Sequence, residues 1–227
     1  MAARVPLSTL YRAARERVTA LVADPSAGDR PVPATPGWTV HDAVAHVAGV
    51  AQDVAEGAMP SGGPTPEWTA GHVARGRGVP TSEVVARWAE HGAVVETVLD
   101  TTPIWPLVID VGSHEHDIRA ALGDTGGRDT DLVVIGAKVM LRGLDVPAPL
   151  RVMTEHHDVL VGPSAAPGGE ADAAGPVVLR TTTFEAFRWR LGRRSQAQLV
   201  AMDWSGDPAP FLPHLCVFGP AQQDVVE

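Results

Sequence analysis

The segment from Val108 to Gly123 concentrates groups that bind metals or transfer protons. It reads VIDVGSHEHDIRAALG and holds two histidines and three acidic residues. Residues four apart on an α-helix differ by about 40° in direction, so Asp110 and His114 would present an oxygen and an imidazole nitrogen side by side. Such a pair is a two-ligand clip for a divalent metal, although the same spacing also occurs in ordinary surface pairs.

The neighbours of this pair differ in their expected roles. Asp117 follows His114 by three residues and could accept the imidazole N–H that a metal does not use, which would fix the tautomer of the ring. His116 lies about 200° around the helix from His114 and should face elsewhere. Because a catalytic zinc usually takes three protein ligands, a third must come from another segment. The candidate is His46 in AVAHVAG, which alone would be interpreted as a core histidine.

Helical periodicity places these residues on two helices of a helical N-terminal region. Apolar spacing predicts a first helix from Leu10 to about Asp24, a second over roughly 40–58 that begins with a capping box, and a third within SEVVARWAEHGAVVETVLD. Pro106 suits the first turn of a fourth helix, and Gly123 suits the position just after its end. The segments DRPVPATPG and PSGGPTPEW are predicted loops.

The sequence pattern changes after a further predicted helix in DLVVIGAKVMLRGL. Four short segments, LRVMTEH, DVLVG, VVLRTT and AQLVAMDW, are predicted strands, and TFEAFRWRLGRR is a predicted amphipathic helix. PSAAPGGEADAAGP is a predicted flexible loop, and EHHD is a predicted polar turn rather than a metal cluster. The sequence therefore predicts an α+β protein with a helical domain over residues 1–147 and a smaller α+β domain over 148–227.

Composition limits the class of protein. With 227 residues, 44% of them hydrophobic, the chain can bury a core. The net charge of -9, with Lys138 as the only lysine, offers no positive surface to nucleic acid. One cysteine, Cys216, excludes an intramolecular disulfide, and no apolar run approaches the roughly 18 residues that cross a bilayer. We therefore expect a cytoplasmic protein with neither a nucleic-acid nor a membrane partner.

Four stretches carry short motifs in a fixed order along the chain. WTVHDAVAHVAG contains Trp-Thr-Val-x-Asp-x-x-x-His, and DVGSHEHD contains acid-x-x-x-His-x-x-Asp. FEAFRWRLGRR is similar to a helix that ends in Leu-Trp-Gly-Arg, and WSGDP is similar to a Gly-Asp turn after the next strand. Together they resemble the DinB-like, mycothiol-dependent maleylpyruvate isomerase family. The resemblance spans most of the chain and implies a DinB-like four-helix bundle followed by a smaller α+β domain.

The resemblance also implies roles for individual residues. The divalent metal of the family, usually zinc, would be bound by His46, Asp110 and His114. The family most often has Glu where this chain has Asp110. Arg193 matches the arginine that closes the small-domain motif and would face the cleft between the domains. Arg193 and Asp117 are the candidate catalytic residues, and Arg193 and Trp38 are the candidates for contact with the cofactor.

The arginines around Arg193 have a simpler interpretation. Arg188, Arg190 and Arg194 are predicted to lie mainly on a solvated helix face, where charges at the C-terminal end suit the helix dipole. Arg193 is favoured as the one that could hold a carboxylate of substrate or thiol by a bidentate pair. Trp38, just before the helix of His46, could wall the pocket.

The implied cofactor is mycothiol or a similar low-molecular-weight thiol, which a metal would hold as the nucleophilic thiolate. The predicted activity is isomerisation or S-transfer on a small unsaturated or electrophilic substrate, by a monomer or homodimer. Two alternatives stay open. The metal could serve hydrolysis or a lyase step without thiol, or the change to Asp110 could mark a non-catalytic binding protein. Two imidazoles and a carboxylate suit zinc, but also iron, nickel or manganese.

Overall fold

A computed structural model describes residues 5–163 and 175–227 and shows an α+β protein, as the sequence predicts. The chain divides into two compact units, of which the first ends at Gly127 and the second runs from Arg128 to Val226. None of the described helices is long and apolar enough to cross a bilayer. Most of the predicted loop PSAAPGGEADAAGP lies outside the described residues.

The first unit is helical. Its helices are α1 (Leu7–Leu21), a short 3₁₀ helix (Pro25–Asp29), α2 (Val40–Ala55), α3 (Pro66–Gly76), α4 (Thr81–Thr101) and α5 (Trp105–Leu122). The four longest pack in a ring, α1 on α4, α4 on α2, α2 on α5 and α5 on α1. This arrangement is a four-helix bundle, and its members are the four helices that periodicity predicts.

Local sequence fixes the ends of the two helices that carry the candidate ligands. At the start of α2, the Asp42 N–H donates to Thr39 Oγ1 at 3.3 Å and the Thr39 N–H donates to Asp42 Oδ2 at 2.9 Å, which is the predicted capping box. Pro106 lies in the first turn of α5, and Gly123 ends that helix in the left-handed conformation with φ of 73°. The positions of His46 and His114 along their helices follow from these ends.

The one tyrosine of the chain lies in the bundle core between α1 and α4. Tyr11 is buried, and its hydroxyl accepts a hydrogen bond from Trp88 Nε1 at 2.9 Å. Removal of the phenol from water is the largest influence on its ionisation and raises the pKa of Tyr11 well above the usual value. The packing of α1 on α4 therefore depends on a tyrosine that stays neutral.

We expect the tyrosinate absorbance of the folded protein to remain absent at pH 10, whereas in denaturant it should appear with a midpoint at about pH 10. Because the folded pKa is raised, the stabilisation by neutral Tyr11 is complete below the unfolded pKa and is lost as the pH rises above it. Ultraviolet titration and the free energy of unfolding against pH both measure this effect. A native midpoint equal to the denatured one would show that Tyr11 is accessible to water.

The second unit combines a small sheet with helices. Its elements are α6 (Asp131–Arg142), β1 (Leu150–Met153), β2 (Asp158–Val161), β3 (Val177–Arg180), α7 (Thr183–Arg190), α8 (Gln196–Val200), β4 (Asp203–Trp204) and α9 (Leu212–Leu215). The sheet has the order β2-β1-β3-β4, with β1 and β3 parallel and the outer pairs antiparallel. Leu150, Val152 and Leu179 of the sheet share a core with Trp189 and Phe211.

Two features of this unit differ from the sequence predictions. AQLVAMDW was predicted as one strand, which is wrong for its first part, because Ser195 and Gln198 form a capping box that starts α8 and only Asp203–Trp204 pairs with β3. The unit also begins before the predicted boundary at 147–148, because α6 packs on α7 and β2. Local periodicity identified α6 as a helix but not the elements that it contacts.

Candidate metal centre

Among the described residues, one group of three side chains could hold a metal ion: His46 of α2 with Asp110 and His114 of α5. One ligand atom from each lies within 4.8 Å of the others. His46 Nε2 is 3.6 Å from Asp110 Oδ1, and His114 Nε2 is 3.7 Å from the same oxygen. Ligand atoms of a tetrahedral zinc, each about 2.1 Å from the ion, stand about 3.4 Å apart. The spacing and chemistry of this His46–Asp110–His114 cluster therefore fit such an ion.

The cluster is enclosed on its histidine side and accessible on its acidic side. The side chains of His46 and His114 are each 7% exposed, whereas that of Asp110 is 34% exposed. Trp38 stacks on the His114 ring at 5.9 Å between centroids and lies 5.4 Å from the His46 ring. Trp38 therefore walls the cluster, and the accessible side lies at Asp110, where an additional ligand could approach a bound ion.

His114 has an acidic neighbour at its second ring nitrogen. Asp117 is fully buried, and its Oδ2 lies 3.0 Å from His114 Nδ1. The contact has the distance of an ion pair without the alignment of a hydrogen bond. The negative charge of the carboxylate beside Nδ1 nevertheless favours the tautomer with the proton on Nδ1 and the lone pair of Nε2 available to a metal. His116 is also buried but does not belong to the cluster.

A further histidine, His72, which no sequence motif indicated, contacts the cluster. His72 of α3 places Nδ1 3.1 Å from His46 Nδ1 and Nε2 2.9 Å from Asp53 Oδ2. Asp53 also accepts hydrogen bonds from Trp68 Nε1 at 2.6 Å and from Arg75 Nη2 at 2.8 Å. Burial lowers the pKa of His72, although the hydrogen bond to Asp53 acts in the opposite direction.

Helix α3 was itself missed, because the Pro/Gly-rich PSGGPTPEW was predicted as a loop. That prediction is wrong from Pro66 onward, since Pro66 occupies the first helical turn and Thr65 Oγ1 accepts a hydrogen bond from the Trp68 N–H at 3.2 Å. The Thr-Pro pair was the available signal for this start. A Cβ on Gly49 would lie 2.7 Å from His72, so the glycine allows the ring to lie against α2.

The structure places Arg193 in the turn after α7, beyond the C-cap residue Leu191, and Nη1 of Arg193 donates to the Leu191 carbonyl oxygen at 2.8 Å. Its binding and catalytic roles stay predictions. The solvated face predicted for its neighbours is wrong, because Arg188, Arg190 and Arg194 are buried. Arg190 donates to the Leu215 carbonyl, and Arg194 forms a two-bond ion pair with Glu185 at 2.7 and 2.6 Å. Partners from the fold therefore bind Nη1 of Arg190 and the guanidinium group of Arg194, whereas the buried Nε of Arg190 has no hydrogen-bond partner among the described residues.

Comparisons with known proteins agree with the motifs. Residues 11–131, more than half of the chain, match the family described as mycothiol maleylpyruvate isomerase N-terminal domain. The crystal structure of the mycothiol-dependent maleylpyruvate isomerase is similar with a TM-score of 0.57 and 16% identity, covering 92% of this chain and 96% of that chain.

A mutant of that isomerase, in which one histidine is replaced by alanine, gives a TM-score of 0.55 and 15% identity over 92% of this chain and 96% of its own. These structural likenesses concern the fold. No curated protein sequence matches the chain significantly. On the strength of the family match, which includes every residue of the His46–Asp110–His114 cluster, the chain belongs to the mycothiol maleylpyruvate isomerase N-terminal domain family.

Proposed function

We propose that the protein is a metal-dependent enzyme that uses mycothiol or a similar low-molecular-weight thiol for isomerisation of, or S-transfer to, a small unsaturated or electrophilic substrate. The observation that carries the proposal is the approach of two imidazole nitrogens and one carboxylate oxygen within 4.8 Å on a bundle of this family. Asp110 is one carbon shorter than the Glu that the family most often has at this position. Its Oδ1 nevertheless lies 3.6 Å from His46 Nε2 and 3.7 Å from His114 Nε2, which supports a retained rather than an abandoned metal site.

His46, Asp110 and His114 would hold the ion, and zinc is the metal that this donor set suits first. A bound divalent ion would supply the positive charge that keeps a coordinated thiol ionised at neutral pH. Asp117 would keep the proton of His114 on Nδ1, so that Nε2 remains a ligand. Trp38 would exclude water from the ring faces, and the exposed side of Asp110 would admit the thiol.

Arg193 is proposed to bind a carboxylate of the substrate or of the thiol. Its guanidinium can donate two parallel hydrogen bonds to such a group, which orients as well as attracts it. The support is its match to the arginine of the family motif. Asp117 and Arg193 are therefore the proposed catalytic residues, and Trp38 and Arg193 are the proposed contacts of the thiol.

The proposal predicts that the cobalt-substituted protein develops a thiolate-to-metal absorption band when mycothiol is added, with saturation at one thiol per chain. S-methyl mycothiol is the matched control, because it cannot form a thiolate and should give no band. Turnover of a panel of cis-configured activated alkenes should require the free thiol. Metal-dependent turnover without thiol would instead support a hydrolase or lyase. A protein that binds neither metal nor thiol would support a binding role.

A further inference from the structure

A chain of hydrogen bonds connects the His46–Asp110–His114 cluster to an ion pair that lies two turns further along the same face of α2. It runs from His46 through His72 to Asp53, and Asp53 is paired with Arg75 at 2.8 Å. We infer that His72 and Asp53 are positioning residues that hold the proton of His46 on Nδ1 and leave its Nε2 lone pair facing Asp110. The inference deepens the proposed function, since it rests on His46 as a ligand there.

The donor and the acceptor of each hydrogen bond in this series follow from its acidic end, Asp53. Asp53 receives hydrogen bonds from Trp68 and Arg75, and a carboxylate can only accept, so His72 Nε2 must donate to it. His72 Nδ1 is then the acceptor, and His46 Nδ1 must be the donor across their 3.1 Å separation. With its proton on Nδ1, His46 keeps a lone pair on Nε2, 3.6 Å from Asp110 Oδ1.

The opposite direction is unfavourable because it places both protons on His72. The side chain of His72 is 0% exposed, and the carboxylate beside it, Asp53, already pairs with Arg75. A positively charged His72 would therefore be a second cation on one carboxylate, and its charge would be poorly compensated. The ring is also held in place: it lies edge to face with Trp68 at 4.2 Å between centroids, and Gly49 leaves the space that its atoms fill. Outer hydrogen-bond partners of this kind orient metal-binding histidines and set their tautomer.

A packing role alone does not predict the tautomer of a different residue, so the tautomer of His46 is the decisive measurement. Long-range ¹H–¹⁵N spectra of the metal-free, ¹⁵N-labelled protein should be recorded above the pH range in which imidazoles protonate, with the His46 signals assigned by their loss in His46→Gln. We expect the Nδ1–H form in the wild type. His72→Phe, which keeps a ring but no acceptor, should shift His46 toward the Nε2–H form.

Zinc titration provides the second readout. His72→Phe should weaken zinc binding by about 10- to 100-fold, the usual effect of losing an outer-shell partner. His72→Asn, whose amide oxygen can accept near the position of Nδ1, should restore the Nδ1–H form and most of the affinity. Asp53→Asn tests the same hydrogen bonds from the acidic end. An amide can donate to His72 Nε2 as well as accept from it, so His72 Nδ1 could either accept from or donate to His46 Nδ1. This variant should therefore populate both tautomers of His46.

His41→Phe is the matched control. His41 lies on α2 and forms two hydrogen bonds, to Thr81 Oγ1 at 2.9 Å and to the Gly76 carbonyl at 3.0 Å, away from His46. Its loss should leave the His46 tautomer unchanged and the zinc affinity within about twofold. An Nε2–H form in the wild type, or an unchanged tautomer in His72→Phe and Asp53→Asn, would overturn the inference. If the expected tautomers are found but the protein binds no zinc, the inference about His72 and Asp53 is supported and the proposed metal centre is refuted.

Discussion

His114→Ala should purify without metal, whereas the wild-type protein, purified in metal-free buffer and supplied with zinc, should carry about one ion per chain. The imidazole of His114 is one of three donors, and it is 7% exposed, so solvent does not readily replace it. The loss of affinity should exceed the roughly 10- to 100-fold cost of removing an outer partner. Elemental analysis by mass spectrometry measures the difference.

The same variant should also lose stabilisation by zinc. A ligand that binds only the folded state at about 1,000 times its dissociation constant adds about 4 kcal/mol to the free energy of unfolding, so zinc should raise the melting temperature of the wild type and not that of His114→Ala. His91→Ala, a histidine of α4 outside the cluster, should keep the ion and the shift. Equal metal content in wild type and His114→Ala would mean that the ion is bound elsewhere.

The ligands on α5 could be predicted because their relation is local. Asp110 and His114 are one helical turn apart, and the helix that carries them begins and ends at residues whose preferences are visible in the sequence, Pro106 and Gly123. His46 required more, since nothing in the periodicity of α2 indicates which helix it meets. Its small apolar surroundings in AVAHVAG made it a candidate, the motif resemblance assigned it as a ligand, and the bundle brings it within 3.6 Å of Asp110.

The outer residues could not be predicted because they depend on how α2 and α3 approach each other. His72 was hidden after a Pro/Gly-rich stretch, and it contacts His46 only because two helices with small residues pack closely. A Cβ on Gly76 would lie 2.5 Å from Ala45 Cβ, so the contact has no room for larger side chains. A sequence pattern shows that a helix is apolar on one face, but it does not show which helix covers that face.

The arginines after β3 illustrate a related limit. A run of charges at a helix end is usually a solvated face, and the sequence was interpreted in that way. In the structure Arg194 is buried against Glu185, and Arg190 is buried against the Leu215 carbonyl, which belongs to a distant part of the chain. Partners at such separations are supplied by the fold, so composition alone could not distinguish a buried charge from an exposed one.

Glu115→Gln should lower the free energy of unfolding of the first unit by about 2–3 kcal/mol. Glu115 is next to His114 in sequence but faces another way on α5, and its side chain is 1% exposed. Its two oxygens accept from Arg17 Nε and Nη2 of α1, both at 2.7 Å, and Oε1 also accepts from Arg119 Nε at 3.0 Å. The neutral amide cannot accept all of these bonds, so guanidinium groups lose their partner in a poorly hydrated place.

The expected loss lies below that of a fully buried pair because Arg17 remains 29% exposed and can regain water. Glu83→Gln is the matched control: Glu83 pairs with Arg87 one turn along α4, both side chains are about half exposed at 51% and 55%, and its loss should cost at most about 0.5 kcal/mol. Denaturant unfolding measures both variants. Equal losses in the free energy of unfolding for the two variants would mean that burial between α1 and α5 adds nothing to the contribution of the Glu115–Arg17 ion pair. Glu115 would then not help to hold α5, the helix that presents Asp110 and His114.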